Sequence, residues 1–137
     1  MRVLIDTNIL FVAAVYPNGH AAKAYYKATK LPYLPIVCDY CIDEFKRIIR
    51  KKRPMDIEKA DSFLATALLS AEVISTPSDN KAVSEEAAIR DVKDKPIIRA
   101  AIKSKVDIIL TGDKDFLESG LKKPKMLSPA EFLLHKH

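Results

Sequence analysis

Two acidic residues come shortly after short apolar runs in distant parts of the chain. Asp6 comes after residues 3–5, and Asp113 follows residues 108–110 through a Thr-Gly pair. Each run is too short for a helix and is typical of a buried strand that turns sharply into another element. Because ligands of open parallel sheets bind where the strands end, we expect both carboxylates to face one crevice.

Two further acids belong to predicted helices. On a helical wheel, Glu44 falls at the border of an apolar stripe, whereas its neighbour Asp43 points to solvent. Asp94 projects onto the middle of the apolar face of a later helix, where an unpaired carboxylate is costly. Asp91 and Asp115 are close acidic neighbours. The candidate catalytic set is Asp6, Glu44, Asp94 and Asp113.

Carboxylates gathered in one cleft repel one another, which raises their pKa values unless a cation lies among them. A bound divalent metal would remove this conflict. All-oxygen ligands without a His or Cys cluster favour Mg²⁺ or Mn²⁺ over zinc. Such an ion can polarise a phosphodiester and activate a water molecule, which are the requirements of a hydrolytic nuclease.

Each acid also has a plainer interpretation when it is taken alone. Asp6, Asp94 and Asp113 would all be good helix N-caps. Glu44 would be an ordinary residue at the border of a helix face. Their joint arrangement, at strand ends and on helices that would pack there, is what favours a shared site.

The chain carries a formal net charge of +5, which favours a polyanionic partner and nucleic acid first. Basic residues flank the acids in the sequence and would contact the phosphates of such a substrate. They are Arg47, Arg50, Arg90, Lys93, Lys95, Arg99 and Lys114. Among them we expect Arg47, Arg50, Lys95 and Lys114 to bind the nucleic acid.

The composition, 48% apolar and 30% charged over 137 residues, is that of an ordinary globular protein and argues against disorder or a fibrous repeat. We expect one domain over residues 1–137.

Cys38 and Cys41 form a lone C-x-x-C at the start of a helix, with no second pair to complete a zinc site. Two cysteines and no signal peptide fit a reducing cytoplasm. No apolar run approaches the ~20 residues of a membrane span.

Strand-like and helix-like segments alternate, which predicts a three-layer α/β/α sandwich with a central, mainly parallel sheet. The predicted strands are residues 2–5, 33–37, 72–75 and 107–111, with Met126 and Leu127 as an edge strand. The predicted helices are residues 8–15, 20–29, 40–52 with Asp39 as N-cap, 56–70, a segment from Asp94, a short helix near Asp113, and a last helix opened by the capping box Ser128–Glu131. Residues 81–90 are ambiguous, and we expect a short helix there.

An ordered series of motifs resembles the PIN-domain ribonucleases. The motifs are VLIDTNIL at residues 3–10, DEF at 43–45, DVKD at 91–94, LTGDKDF at 110–116 and LSPAEFL at 127–133. One such motif would be a weak signal. The series covers nearly the whole chain and is therefore specific.

The resemblance implies a PIN-like fold in which acids matching Asp6, Glu44, Asp94 and Asp113 serve a bound Mg²⁺ or Mn²⁺. We take Asp6, Asp94 and Asp113 as its ligands. Asp91 is an alternative to Asp94, which we favour because it is in phase with the helix.

Other positions match the family less uniformly. Asn8 and Thr111 match polar residues that commonly support the site, and Asp115 matches an additional acid present in many members. Arg99 is a departure, because the family usually has a small or apolar residue there.

The resemblance also implies an activity and partners. We expect an endoribonuclease that cuts single-stranded RNA and leaves a 5′-phosphate and a 3′-hydroxyl. Many small stand-alone members are toxins of VapBC-type pairs, are often homodimers, and are blocked by a small antitoxin protein that covers the cleft. We therefore expect a cytoplasmic toxin of a type II toxin–antitoxin pair that has no membrane partner.

Two other function classes compete with this hypothesis. A receiver-like signalling domain also gathers acids at strand ends, but it needs a second acid beside Asp6 and a late lysine that Thr7-Asn8 and Gly112-Asp113 do not supply. A non-catalytic PIN-fold module that binds RNA or assembles with other proteins would lack an intact acid set.

Overall fold

Five short strands form one sheet at the centre of the protein, in a computed structural model that describes residues 1–136. All strand pairs are parallel, and the order across the sheet is β3-β2-β1-β4-β5. The strands are β1 (Arg2–Ile5), β2 (Leu34–Cys38), β3 (Glu72–Ile74), β4 (Ile108–Leu110) and β5 (Lys125–Leu127). The expected parallel sheet is therefore confirmed, and Met126 and Leu127 lie in its edge strand.

Helices connect the strands and cover the sheet. They are α1 (Thr7–Val15), α2 (His20–Ala28), α3 (Asp39–Lys52), α4 (Ile57–Ser70), α5 (Lys95–Lys103), α6 (Lys114–Leu117) and α7 (Pro129–Leu134). Right-handed crossovers place helices on opposite faces when the strand order reverses direction, as it does here after β3. The result is the predicted α/β/α sandwich. Within the described residues, no helix combines the length and the apolar character needed to cross a bilayer.

The reversal of strand order falls between β1 and β4. Ile5 is aligned with Leu110 across the pair, and the amide of Asp6 donates to the carbonyl of Leu110 at 3.0 Å. Asp6 and the residues after β4 therefore leave the sheet side by side. In an open parallel sheet, this switch point is where ligands bind.

The start of α3 differs by one residue from the prediction. The N-cap position belongs to Cys38, and Asp39 is the first helical residue. The Asp39 Oδ1 accepts from the amide and hydroxyl of Thr76 at 2.9 and 2.6 Å, so this carboxylate joins α3 to the segment that follows β3. The thiols of Cys38 and Cys41 lie at this helix start as expected, and both are buried in the core.

Between β3 and α5 the chain forms 3₁₀ turns at Asp79–Lys81, Ser84–Ala88 and Val92–Asp94. The short helix expected within residues 81–90 is thus a 3₁₀ segment. By contrast, the capping box of α7 is confirmed, since Ser128 Oγ accepts from the Glu131 amide at 3.2 Å and Glu131 Oε1 accepts from the Ser128 amide at 3.0 Å.

Arg99 holds this irregular segment against α5. Its side chain is buried and donates to both carboxylate oxygens of Glu86, at 2.9 and 2.7 Å. The third guanidinium nitrogen, Nη1, donates to the carbonyl of Pro77 at 2.9 Å and to Asp79 Oδ1 at 3.1 Å. Arg99 is therefore a structural residue, and its expected role as a phosphate-binding cation was wrong because Glu86, Pro77 and Asp79 already accept from its donors.

Arg99→Ala should lower the free energy of unfolding by about 3 kcal/mol, the lower end of the cost of breaking a buried ion pair, because Glu86 would be left buried without its partner. Urea unfolding measures this loss. Arg53→Ala is the matched control, since Arg53 pairs with Asp56 at 2.7 Å at the surface and its loss should cost far less. Equal losses in the two variants would contradict the assigned role of Arg99.

Candidate active site

A cavity of about 250 Å³ opens at the carboxyl ends of β1 and β4. We call it the acidic cleft. Phe11 and Ile48 form apolar parts of its wall, and Lys52 and Lys93 are its cations. The carboxylates that line it are Asp6, Glu44, Asp91, Asp94 and Asp113. All four acids of the candidate catalytic set thus lie around one cavity.

Asp6 both caps a helix and lines the cleft. Its Oδ1 accepts from the amide of Thr7 at 2.8 Å, and its Oδ2 accepts from the hydroxyl of Thr111 at 2.7 Å. Only 4% of the residue is exposed. Burial raises the pKa of Asp6 to about 6, the two hydrogen bonds oppose this rise, and the charges of Glu44 and Asp113 add to it.

Thr111 links the two acids that follow the strands. Its buried hydroxyl donates to Asp6 and accepts from the amide of Asp113 at 3.0 Å. Next to it, a side chain added at Gly112 would meet the Asn8 amide nitrogen at 3.4 Å, a tight approach. The side chains of Thr111 and Asn8, both expected to support the site, therefore lie beside the acids.

Asp113 is fixed by the short helix α6. Its Oδ1 accepts from the amide of Asp115 at 2.8 Å, and Phe116 anchors the same helix in the core. The carboxylate of Asp115 is paired with Arg90 at 2.8 Å. Arg90, one of the cations expected to contact phosphate, therefore already holds an acid at the edge of the site.

Asp94 occupies the N-cap position of α5 but makes no capping hydrogen bond. Its Oδ2 is buried and finds no hydrogen-bond partner in the described part of the chain. Burial is the largest of several causes, with contact with Asp113 and the charges of Asp6 and Asp91, that together raise the pKa of Asp94 to about 8. A capping role does not account for this carboxylate, whereas a cation in the cleft would.

The tightest acidic grouping in residues 1–136 is formed by Asp91, Asp94 and Asp115, whose nearest oxygens all lie within 4.8 Å of one another. Asp91 is exposed, and its Oδ1 accepts from the amide of Lys93 at 3.0 Å. The sequence analysis gave Asp91 as an alternative ligand to Asp94 and Asp115 as an additional supporting acid, but it did not predict that the three lie together. Asp94 belongs both to this grouping and to the predicted ligands. Carboxylate oxygens are ligands that suit Mg²⁺ or Mn²⁺.

Helix α3 supplies the wall opposite Asp94. Glu44 is half-buried and faces the cleft, while Asp43 is exposed as expected. Ile48 and Lys52 follow Glu44 at spacings of four residues, so the three side chains share one helix face. This i, i+4, i+8 pattern was the sequence signal that would have identified Lys52 as a residue of the cleft.

The four cations expected to bind RNA lie in different places. Arg47 and Arg50 are exposed on α3, and each lines a hollow outside the acidic cleft. Lys95 is half-buried at the start of α5, and Lys114 is exposed at the start of α6. None of the four lines the acidic cleft itself.

Comparison with known proteins identifies a family. The PIN domain family model matches residues 2–115. No significant match is found among curated proteins. Several solved structures are similar in fold over most of their length.

One is VapBC2 from Rickettsia felis bound to a DNA fragment from its promoter, with 15% identity, a TM-score of 0.66, and coverage of 93% of this chain and 98% of that chain. Another is VapC20 from Mycobacterium tuberculosis, described as a sarcin-ricin loop cleaving toxin, with 15% identity, a TM-score of 0.64, and coverage of 87% and 95%. A third is PAE2754 from Pyrobaculum aerophilum, with 19% identity, a TM-score of 0.66, and coverage of 98% and 88%. At these identities the likeness concerns the fold.

Without metal, the stability of the protein should fall as pH rises from about 4 to about 8. Asp6 and Asp94 have pKa values of about 6 and about 8 in the fold, against a usual value of 3.8, so the folded state holds protons that the unfolded chain has released across this window. In Asp94→Asn, stability should fall less at the high-pH end of this range, and Tm at pH 8 should rise by about 3–5 °C.

Thermal unfolding in chelator between pH 4 and pH 8.5 measures this effect. Asp61→Asn, a change at an exposed acid of α4, is the matched control and should leave the pH dependence unchanged. An Asp94→Asn protein that is less stable than the parent at pH 8 would contradict the account of the unpaired carboxylate.

Thr111→Val should raise the pKa of Asp6 above about 6, because it removes a hydrogen bond that favours the charged carboxylate. The variant should also lose about 1–2 kcal/mol of stability, since the Asp113 amide loses its acceptor. Carboxyl NMR titration and urea unfolding measure the two effects. Thr111→Ser keeps the hydroxyl and should behave like the parent. If Asp6 has the same pKa in Thr111→Val and Thr111→Ser, the hydroxyl does not lower that pKa.

Proposed function

We propose that this chain, which belongs to the PIN-domain family, is a metal-dependent endoribonuclease that hydrolyses phosphodiester bonds of RNA. The observation that carries the proposal is the buried, unpartnered oxygen of Asp94 in a cleft shared with Asp6 and Asp113. A fold keeps such a group when a ligand satisfies it, because an isolated buried carboxylate is destabilising.

The acids around the cleft fit a divalent ion. Asp6, Asp94 and Asp113 are its proposed ligands. Asp91 and Asp115 lie close to the carboxylate of Asp94 and could contribute further oxygens. When bound, Mg²⁺ or Mn²⁺ would polarise the scissile phosphate and lower the pKa of the attacking water. The oxygen-only donor set supports this class of metal, and so do the pKa values of Asp6 and Asp94, which are raised by burial and by the neighbouring carboxylates.

The remaining residues would orient the reaction. Thr111 holds Asp6 and the backbone of Asp113 in one arrangement, so the acids need little reorganisation when a substrate arrives. Glu44 approaches from α3 and is placed to accept a proton from the attacking water. Lys52 and Lys93 line the same cavity and would contact the phosphate backbone.

Other cations would bind RNA outside the acidic cleft. We assign this role to Arg47, Arg50, Lys95 and Lys114, which lie on α3 and at the starts of α5 and α6. An excess of positive charge over the whole chain supports a polyanionic substrate.

The similarity in fold to VapBC2 and VapC20 supports a further assignment. We propose that the chain is the toxin of a type II toxin–antitoxin pair, that it forms homodimers, and that a small antitoxin protein covers its acidic cleft. A protein that covered the cleft would exclude the RNA substrate from the acids.

RNA cleavage should require Mg²⁺ or Mn²⁺ and the acids of the cleft. Asp6→Asn and Glu44→Gln should each lower the rate at least about a hundredfold, since each removes a charged group placed at the reacting atoms. The measurement is the rate of cutting of an end-labelled single-stranded RNA, with and without chelator. Asp43→Asn is the matched control for Glu44, because Asp43 is exposed on the same helix.

The alternative, a non-catalytic module, gives a different result in the same assay. Equal cutting by the parent and Asp6→Asn would exclude this site as the source of activity. Absence of both acid-dependent Mn²⁺ binding and cleavage of any RNA tested would contradict the enzymatic proposal and favour a binding module.

A further inference from the structure

A second hollow of about 580 Å³ continues from the acidic cleft along α3. We call it the α3 groove. It shares Glu44, Ile48, Lys52 and Lys93 with the cleft, so the two cavities are adjacent. The groove is more than twice as large as the cleft and has the size of a site for a small organic ligand or a nucleotide.

The groove differs from the cleft in charge. Its cations are Arg47, Lys51, Lys52 and Lys93, and its only acid is Glu44, at the boundary with the cleft. The cleft itself carries five carboxylates and would repel a polyanion before a metal neutralises them. Attraction for a nucleic acid backbone must therefore come mainly from the α3 groove.

The groove also contains an aromatic surface. Tyr40 is half-buried and packs against the hydrophobic core, which restricts its ring, and it lines both this groove and the neighbouring hollow beside Arg50. An aromatic ring held among cations is the combination on which unpaired bases stack while the phosphates are neutralised. A duplex does not offer its base faces in this way.

The groove residues lie on a single face of α3. Tyr40, Arg47 and Lys51 are separated by seven and four residues, so they follow the same side of the helix. The core stripe of this helix is formed by Cys41, Phe45 and Ile49, all of them buried. The groove side lies outside this stripe, and apart from the core contact of Tyr40 it remains available to a ligand.

We propose that the α3 groove binds the single-stranded RNA segment adjacent to the scissile phosphate, with one base stacked on Tyr40 and the backbone held by Arg47, Lys51, Lys52 and Lys93. This inference rests on the proposed ribonuclease function and identifies how that site selects unpaired RNA. Tyr40 is in this view a positioning residue that takes no part in the chemical step.

RNA binding without cleavage tests the groove directly. Fluorescence anisotropy of a labelled single-stranded RNA of about ten nucleotides, in Mg²⁺ and on the Asp6→Asn background, gives Kd. Tyr40→Ala should weaken binding by about fivefold to a hundredfold, the range for loss of one base–aromatic stack. Tyr40→Phe should bind like the parent, and Tyr26→Ala, a change at an exposed tyrosine of α2, is the matched control.

A charge variant tests the same groove without touching the core. Lys51→Gln, at an exposed position, should weaken binding and lower the slope of log K against log salt by about 0.7. Lys122→Gln is its control, because Lys122 precedes β5 and so lies towards the opposite edge of the sheet. Duplex RNA of the same sequence should bind more weakly than the single strand.

Unchanged affinity in Tyr40→Ala, or an equal loss in Tyr26→Ala, would overturn the inference. Its failure can be told from failure of the proposed function. If the parent cleaves RNA and Tyr40→Ala binds and cleaves like the parent, only the groove assignment is wrong. If no cleavage is found but tyrosine-dependent binding persists, the groove stands and the enzymatic proposal falls.

Discussion

Carboxylates that share a poorly hydrated cleft repel one another, and this repulsion is the constraint on which the site depends. The fold holds Asp6, Asp94 and Asp113 around one cavity, where burial and then the neighbouring charges raise the pKa values of Asp6 and Asp94. Hydrogen bonds stabilise the carboxylates of Asp6 and Asp113. One oxygen of Asp94 has no hydrogen-bond partner in the described residues. Such an arrangement lowers stability and is therefore best explained by a function.

The sheet creates this constraint through its topology. The register of β1 against β4 sets Asp6 beside Thr111, and the change of crossover direction leaves a crevice above them. Helices α3 and α5 then carry Glu44 and Asp94 to the same crevice from chain positions far from either strand. One hydroxyl, that of Thr111, joins the two strand ends and limits how far the acids can move apart.

Local sequence patterns predicted most of this arrangement, because apolar runs and helical periodicity determine which residues end strands or face the core. The pairing of distant groups was not predictable in this way. Asp39 also accepts from Thr76, far along the chain, and Arg99 is buried against Glu86 across an irregular segment. The close grouping of Asp91, Asp94 and Asp115 likewise depends on a 3₁₀ turn that leaves no periodic signal.

The most direct test of the account is calorimetric titration of the chelated protein with Mn²⁺ at pH 7, in two buffers that differ in ionisation enthalpy. The account predicts acid-dependent binding accompanied by proton release, because Asp94, with a pKa of about 8, must lose its proton to bind the metal. Asp94→Asn should bind more weakly and release fewer protons. Absence of binding, or identical binding and proton release in both proteins, would contradict the claim that these carboxylates form a metal site.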